Sequence, residues 1–207
     1  MEIQVVKYMD EQNSYLMRRV FFSGILGLSL IVTPIISHAN SGEDLIQAAS
    51  TGNLSKVRSL LEKGADVDHQ NRKGVTALIV SSKKGYTEIV QILLAKGAKM
   101  DHQSKDNETA MNIASRYGHV AIIETLLAKG ANIDHQNEQG GTALMIASMY
   151  GREEVVRVLL ANGANVNLKE NRGGTALMYV RTEQIEELLI EAGAEGASVR
   201  RELGNFR

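Results

Sequence analysis

The sequence predicts an all-α protein built as a solenoid of stacked helix-turn-helix units, and two observations carry this prediction. Gly-Ala pairs recur along the chain, with a spacing of 33 residues for the first four pairs and 30 for the last. Between successive pairs lie two short apolar stretches with helical periodicity. Self-similarity at a fixed period of this size is typical of a stacked array of repeats. The pairs are Gly64-Ala65, Gly97-Ala98, Gly130-Ala131, Gly163-Ala164 and Gly193-Ala194.

Composition sets limits on function. The chain has 207 residues, of which 43% are hydrophobic, so it can bury a core. Its 23 basic and 24 acidic residues nearly cancel, whereas a nucleic-acid binder usually carries a strongly basic surface. Cysteine is absent from the sequence, which excludes disulfides, thiolate metal sites and cysteine nucleophiles. We therefore expect no nucleic acid as the ligand. The sequence also contains no P-loop, no Gly-rich phosphate-binding loop and no paired-carboxylate motif, so we expect no small-molecule substrate, metal or other cofactor.

Residues 1–39 resemble an N-terminal extension followed by an export signal. Met17-Arg18-Arg19 precedes an uncharged apolar run over 20–36, which ends in Ser37-His38-Ala39. This order of positive, apolar and small-residue regions is that of a signal peptide over residues 17–39. We expect cleavage between Ala39 and Asn40, which would make the protein periplasmic or secreted.

Alternatives remain open for this N-terminal segment. The apolar run is close to the roughly 20 residues that a spanning helix requires, so it could instead stay as a membrane anchor, with the rest of the chain facing away from the cytoplasm. An apolar intracellular helix is a further possibility. Met17 would itself make a compact start for a signal peptide, so either Met1 or Met17 could be the initiator.

The second full period shows how one unit folds. Thr76 can cap a first helix over 77–84 with its hydroxyl, and Gly85 can end that helix with a positive φ. A second helix is predicted over 87–96, with apolar residues on more than one face, and Gly97 ends it. A polar loop then leads into the next unit.

Helix, Gly, helix, Gly-Ala and a polar hairpin in 33 residues resemble the ankyrin repeat. The family's Thr-Pro-Leu-His stands here as Thr76-Ala77-Leu78-Ile79 and its three equivalents, and one hairpin glycine is replaced by Asn107, which tolerates positive φ. The first unit lacks the Thr, and the last has lost the glycine between its helices. The resemblance implies an ankyrin domain over 40–196 and a polar tail over 197–207. Its repeats are 42–70, 71–103, 104–136, 137–169 and 170–196.

The ankyrin resemblance further implies a non-catalytic, monomeric scaffold that binds a partner protein through a concave face. That face is expected to consist of the hairpin tips and the inner ends of the first helices. On the hairpins the implied binding residues are Arg72, Lys73, Val75, Lys105, Asp106, Glu108, Glu138, Gln139 and Gly141. At the helix ends they are Lys83, Lys84, Arg116, Tyr117, Met149 and Tyr150.

Catalysis and metal binding are the competing hypotheses. His69, His102 and His135 each follow an Asp, but stacked helices lie roughly 8–10 Å apart, too far for three imidazoles to share one zinc ion. We expect these histidines to form a solvent-facing polar row with a mild pH response. His119, the one lone candidate for acid–base chemistry, follows a turn glycine, a structural position in the ankyrin pattern. A metal-dependent protein, an enzyme and a membrane-tethered structural scaffold remain as alternatives.

Overall fold

The computed structural model describes residues 41–195, which form five consecutive helical pairs. Nine α-helices and one 3₁₀ helix lie in this range. Within it no residue is in a β-strand, so the predicted hairpins are loops closed by tight turns. The helices are α1 Ser41–Ser50, α2 Leu54–Glu62, α3 Ala77–Lys84, α4 Thr87–Ala95, α5 Ala110–Tyr117, α6 Val120–Ala128, α7 Ala143–Met149, α8 Glu153–Ala161, the 3₁₀ helix Ala176–Tyr179 and α9 Glu183–Glu191.

The ends of the first helices follow the capping pattern in the sequence. The Thr76 hydroxyl accepts a hydrogen bond from the backbone N–H of Ile79 at 3.3 Å, and Thr109 and Thr142 do the same in the next two units. Gly85 ends α3 with φ +79°. The predicted helix over 77–84 is therefore confirmed at both ends, and Asn107 indeed takes a positive φ of 57°.

The core runs through the whole stack, and the stack is curved. Leucines of the first helices, such as Leu78 and Leu144, and of the second helices, such as Leu93 and Leu126, are almost fully buried between units. Neighbouring first helices contact each other more extensively than neighbouring second helices do. The units are therefore closer together on the side of the first helices, which makes that side concave. We call it, with the adjoining loop tips, the inner face.

A row of carboxylates joins each unit to the next, and it explains why Asp recurs with the period. Asp68 Oδ1 accepts the backbone N–H of Lys99 at 2.9 Å. Asp101 and Asp134 accept the equivalent N–H groups of the following units, from Asn132 and Asn165. In the last of these positions Asn167 replaces Asp and still accepts, from Glu195 at 2.8 Å.

Replacing Asp101 by alanine is expected to lower the free energy of unfolding by about 0.5–1.5 kcal/mol, because one hydrogen bond between units is lost. Asp101→Asn is the matched control, since Asn167 already fills the equivalent position. It should remain close to wild type in urea denaturation. An equal loss of unfolding free energy in both variants would show that the hydrogen bond accepted by Asp101 Oδ1 does not contribute to stability.

The last unit has a shortened first helix. The last unit as a whole is three residues shorter than the other units, and the turn glycine between its two helices is missing. Only the short 3₁₀ helix Ala176–Tyr179 remains in place of a first helix of two turns, and Thr175 makes no side-chain capping bond. The expected irregularity of the last unit is therefore confined to its shortened first helix.

The N-terminal predictions and the tail lie outside the described residues. They include the signal peptide, the cleavage between Ala39 and Asn40, and the segment 197–207. Within residues 41–195, no helix is both long enough and apolar enough to cross a membrane.

Candidate functional site

The inner face exposes large apolar side chains. Tyr117 is 41% exposed, Met149 36% and Tyr150 46%. All three lie at the ends of first helices, where the resemblance placed them. Most of the other predicted binding residues are also exposed: Arg72, Lys73, Lys83, Lys84, Lys105, Asp106, Glu138 and Gln139, while Val75, Arg116 and Gly141 are half-buried.

Cations rest against the tyrosine rings and link one unit to the next. Lys83 Nζ lies 5.9 Å from the centre of the Tyr117 ring. One unit further along, the Arg116 guanidinium carbon lies 5.8 Å from the centre of the Tyr150 ring. A cation over an aromatic face is attracted to it by about 0.5–1 kcal/mol at an exposed site, so these contacts favour one arrangement of each ring while leaving it accessible.

Glu108 does not lie where a partner could contact it, which corrects the expectation for this residue. It is only 8% exposed and forms an ion pair with Arg116, whose Nη1 donates to Oε2 at 3.1 Å while Nη2 donates to Oε1. The carboxylate is turned from the loop toward α5 because Arg116 neutralises it there. Glu108 therefore positions Arg116 instead of contacting a partner directly.

A second set of contacts between units satisfies the carbonyls at the ends of the first helices, which have no partner within the helix. His119 Nε2 lies 3.2 Å from the Lys83 carbonyl. Arg152 Nε donates to the Arg116 carbonyl at 3.0 Å, and Arg181 Nε to that of Met149 at 2.8 Å.

These contacts give His119 a structural role. Its ring also stacks on Tyr117, with the centroids 6.2 Å apart. The roles of Arg152 and Arg181 were missed from the sequence. The signal was available for Arg152, because like His119 it follows directly after a turn glycine.

The prediction that the periodic histidines face solvent is confirmed only in part. All three are half-buried. His69 Nε2 lies 3.5 Å from Glu43 Oε2, His135 Nε2 lies 3.2 Å from the Asn107 carbonyl, and His102 Nε2 is buried without a hydrogen-bond partner. In residues 41–195, no three His, Asp or Glu side chains come together as a metal site would need.

A groove of about 560 Å³ opens on the inner face between the fourth and fifth units. The end of α7 forms one wall, and the loops 137–141 and 170–172 form the rim. The shortened first helix of the last unit leaves the opposite side without the helical turn found in the other units. Side chains that line the groove include Arg116, Met145, Met149, Tyr150, Arg172 and Tyr179.

The stacked units, their caps and their loops match a known family. The family model described as "Ankyrin repeats (3 copies)" matches residues 45–137 and 126–199. The chain belongs to the ankyrin-repeat family. No curated protein matches it. Ankyrin repeats are generally protein–protein interaction modules and are typically non-catalytic.

In this ankyrin domain, the groove extends the set of inner-face residues beyond those predicted. Arg116, Glu138, Gln139, Met149 and Tyr150 come together there, whereas Arg72, Lys73 and Lys83 lie on earlier units. Arg172 and Tyr179 were not predicted to belong to the site. Arg172 and Tyr179 could have been identified from the shortened spacing before Gly193, because a missing helical turn leaves a gap between stacked units.

The lining of the groove contains a hydrogen-bonded Glu–Tyr pair, Glu170 and Tyr179. Backbone hydrogen bonds from Arg172 and Gly174 hold the pKa of Glu170 below its ordinary value, and the Tyr179 hydroxyl contributes further. Burial raises the pKa of Tyr179, and its hydrogen bond to Glu170 adds to the shift. Near neutral pH the pair is therefore an ionised carboxylate that accepts from a neutral phenol.

The lowered pKa of Glu170 predicts a loss of stability in acid. Because the folded pKa lies below the ordinary value of 4.5, the stabilisation is present above that value and is lost as pH falls through the folded pKa. Glu170→Ala should therefore melt at a lower temperature than wild type at pH 7, with the difference shrinking as the pH falls below 4.5. Calorimetry at several pH values measures it. A constant difference across this range would contradict the prediction.

Proposed function

We propose that this chain is a non-catalytic scaffold that binds a partner protein through the inner face of its ankyrin domain, as a monomer and outside the cytoplasm. The observation that carries the proposal is the group of exposed side chains Tyr117, Met149 and Tyr150, of which the last two line a groove on the inner face. Tyr and Arg often dominate the energies of protein interfaces, and Met adapts to irregular surfaces. A cation lies over each of the two rings, and side chains that are partly ordered beforehand lose less entropy on binding.

The extent of the inner face supports the same proposal. A stable protein complex buries roughly 800 Å² on each partner. The candidate residues extend from Arg72 on the second unit to Arg172 on the fifth. Catalysis would instead require a nucleophile within hydrogen-bond reach of a base, and the lone candidate base, His119, is engaged with the Lys83 carbonyl.

A pull-down from the extracytoplasmic fraction tests the proposal, with the purified protein as bait. The variant should combine Tyr117→Ala, Met149→Ala and Tyr150→Ala. Arg116 is left in place, because its removal would leave the buried Glu108 carboxylate without its partner. Met178→Ala is the matched control, since Met178 is 68% exposed but does not line the groove.

We expect a partner that wild type and the Met178→Ala control retain and that the triple variant loses, with all three proteins showing the same circular dichroism. Retention by the triple variant would place the binding site elsewhere. No partner for any of the three would contradict the scaffold function and favour the structural alternative.

Export is the second part of the proposal, and it rests on the Met17–Ala39 sequence pattern alone. Mass spectrometry of the mature protein should find Asn40 at the N-terminus, because the small residues Ser37 and Ala39 suit a signal peptidase. An intact N-terminus in the membrane fraction would instead support a retained anchor. An intact N-terminus in the cytosol would overturn export.

A further inference from the structure

The inner face is positively charged, although the whole chain carries a formal charge of −1. Basic side chains lie on the loop tips and at the ends of the first helices, four of them on the second unit, two on the third and one on the fifth. The exposed or half-buried cations are Arg72, Lys73, Lys83, Lys84, Lys105, Arg116 and Arg172. The same surface has four acidic residues, namely Asp106, Glu108, Glu138 and Glu170.

Two of these four carboxylates already have partners within the protein. Glu108 is buried in its ion pair with Arg116, so these two charges cancel each other, and Glu170 accepts a hydrogen bond from the N–H of Gly174 in its own loop. Asp106 and Glu138 are the acidic side chains of this face that are exposed at loop tips. The surface that a partner meets is therefore mainly cationic.

The charged surface leads into an apolar site. Met145, Ile146, Met149 and the rings of Tyr150 and Tyr179 line the groove, and Arg116 and Arg172 lie at its edges. A flexible thioether and a wide opening suit a large apolar side chain. Burial of such a side chain contributes roughly 1.5–3 kcal/mol, so the groove can supply an anchor that charge alone does not.

We propose that the partner binds through an extended acidic segment that places one large apolar side chain in this groove. The acidic residues of the segment lie along the cations of the second and third units. The inference rests on the proposed function and adds the chemistry of the partner to it. Stacked units are spaced roughly 8–10 Å apart, so a path over three steps is covered by about eight or nine extended residues at ~3.3 Å each.

Selection from a phage-displayed library of random dodecapeptides on the purified protein tests this inference. We expect enrichment of sequences with several Asp or Glu and one Phe, Leu, Ile, Met or Trp. Enrichment of basic or uncharged sequences would overturn the proposal, and so would the absence of any enrichment. The pull-down described above tests the scaffold function separately, so the scaffold function and the acidic-segment proposal can fail independently.

Fluorescence anisotropy with the strongest selected peptide then locates its site. Met149→Glu and the pair Lys83→Glu, Lys84→Glu should each weaken binding by about tenfold or more, as expected for central interface residues. Met178→Glu introduces the same charge change as Met149→Glu outside the lining of the groove, and the pair Lys63→Glu, Lys96→Glu matches the lysine pair at the exposed ends of second helices; both controls should bind like wild type. Affinity should also fall as salt rises, because exposed charges are screened.

Equal affinity for all variants would show that the peptide binds elsewhere and would overturn the site while leaving the scaffold function intact. A basic face could also attract phosphate groups. A labelled thymidine dodecamer is therefore measured in parallel, and tighter binding of the dodecamer than of the peptide would overturn the assignment to an acidic protein segment.

Discussion

Replacing Leu126 by alanine is expected to lower the free energy of unfolding by about 2–5 kcal/mol, the usual cost of a cavity at a fully buried leucine. Leu126 lies in α6 of the central unit and has no exposed surface. A 33-residue unit cannot bury its apolar faces alone, so its stability comes largely from the interfaces with both neighbours. Urea denaturation followed by circular dichroism measures the loss.

Leu127→Ala is the matched control, since Leu127 is the next residue of the same helix and only half-buried. It removes the same atoms from the same helix and should cost clearly less. Equal costs would mean that the two positions are buried to the same degree, which would contradict the packing described for α6.

Replacing Glu108 by alanine is the second substitution with a large expected effect. The ion pair with Arg116 lies beneath the inner face, and Arg116 Nε is already buried without a partner. Removing the carboxylate would leave the guanidinium half-buried and unpaired, at a cost of about 1–3 kcal/mol. Because Arg116 also rests on Tyr150, we expect the same variant to bind the selected peptide more weakly.

A double-mutant cycle isolates this pair. Glu108→Ala, Arg116→Ala and the double variant should show a clear coupling energy, because the two side chains contact each other directly. Asp106→Ala is the control, since Asp106 lies exposed in the same loop and should cost little. Additive losses for Glu108 and Arg116 would show that the ion pair adds nothing to stability.

The fold could be predicted from the sequence because its signals are local. A Thr cap, a turn glycine and an apolar run lie within one period, and each acts on its own backbone. The helix Ala77–Lys84 and the positive φ of Asn107 followed directly. Repetition then strengthened each assignment, since the same residues serve the same purpose in successive units.

The site could be predicted only in part, because its properties depend on contacts between units. The exposure of Tyr117, Met149 and Tyr150 agreed with the expectation, whereas Glu108 and the three periodic histidines were placed on the surface too readily. A polar side chain in a loop looks exposed when only the repeating pattern is considered. Glu108 instead pairs with Arg116 of its own unit, and His135 lies against the Asn107 carbonyl. Arg116 and Asn107 are not repeated in the other units, so the period does not show these contacts.

The hydrogen bonds between units also bear on how such a protein can change in length. Each inner unit presents the same acceptor on one side, such as the Asp101 carboxylate, and the same donor on the other, such as the N–H of Lys99. A tandem duplication of 33 residues would therefore insert a unit whose two faces already match both neighbours. Natural selection could lengthen the inner face in this way without first having to evolve a new interface, and then vary the exposed loop tips of the added copy.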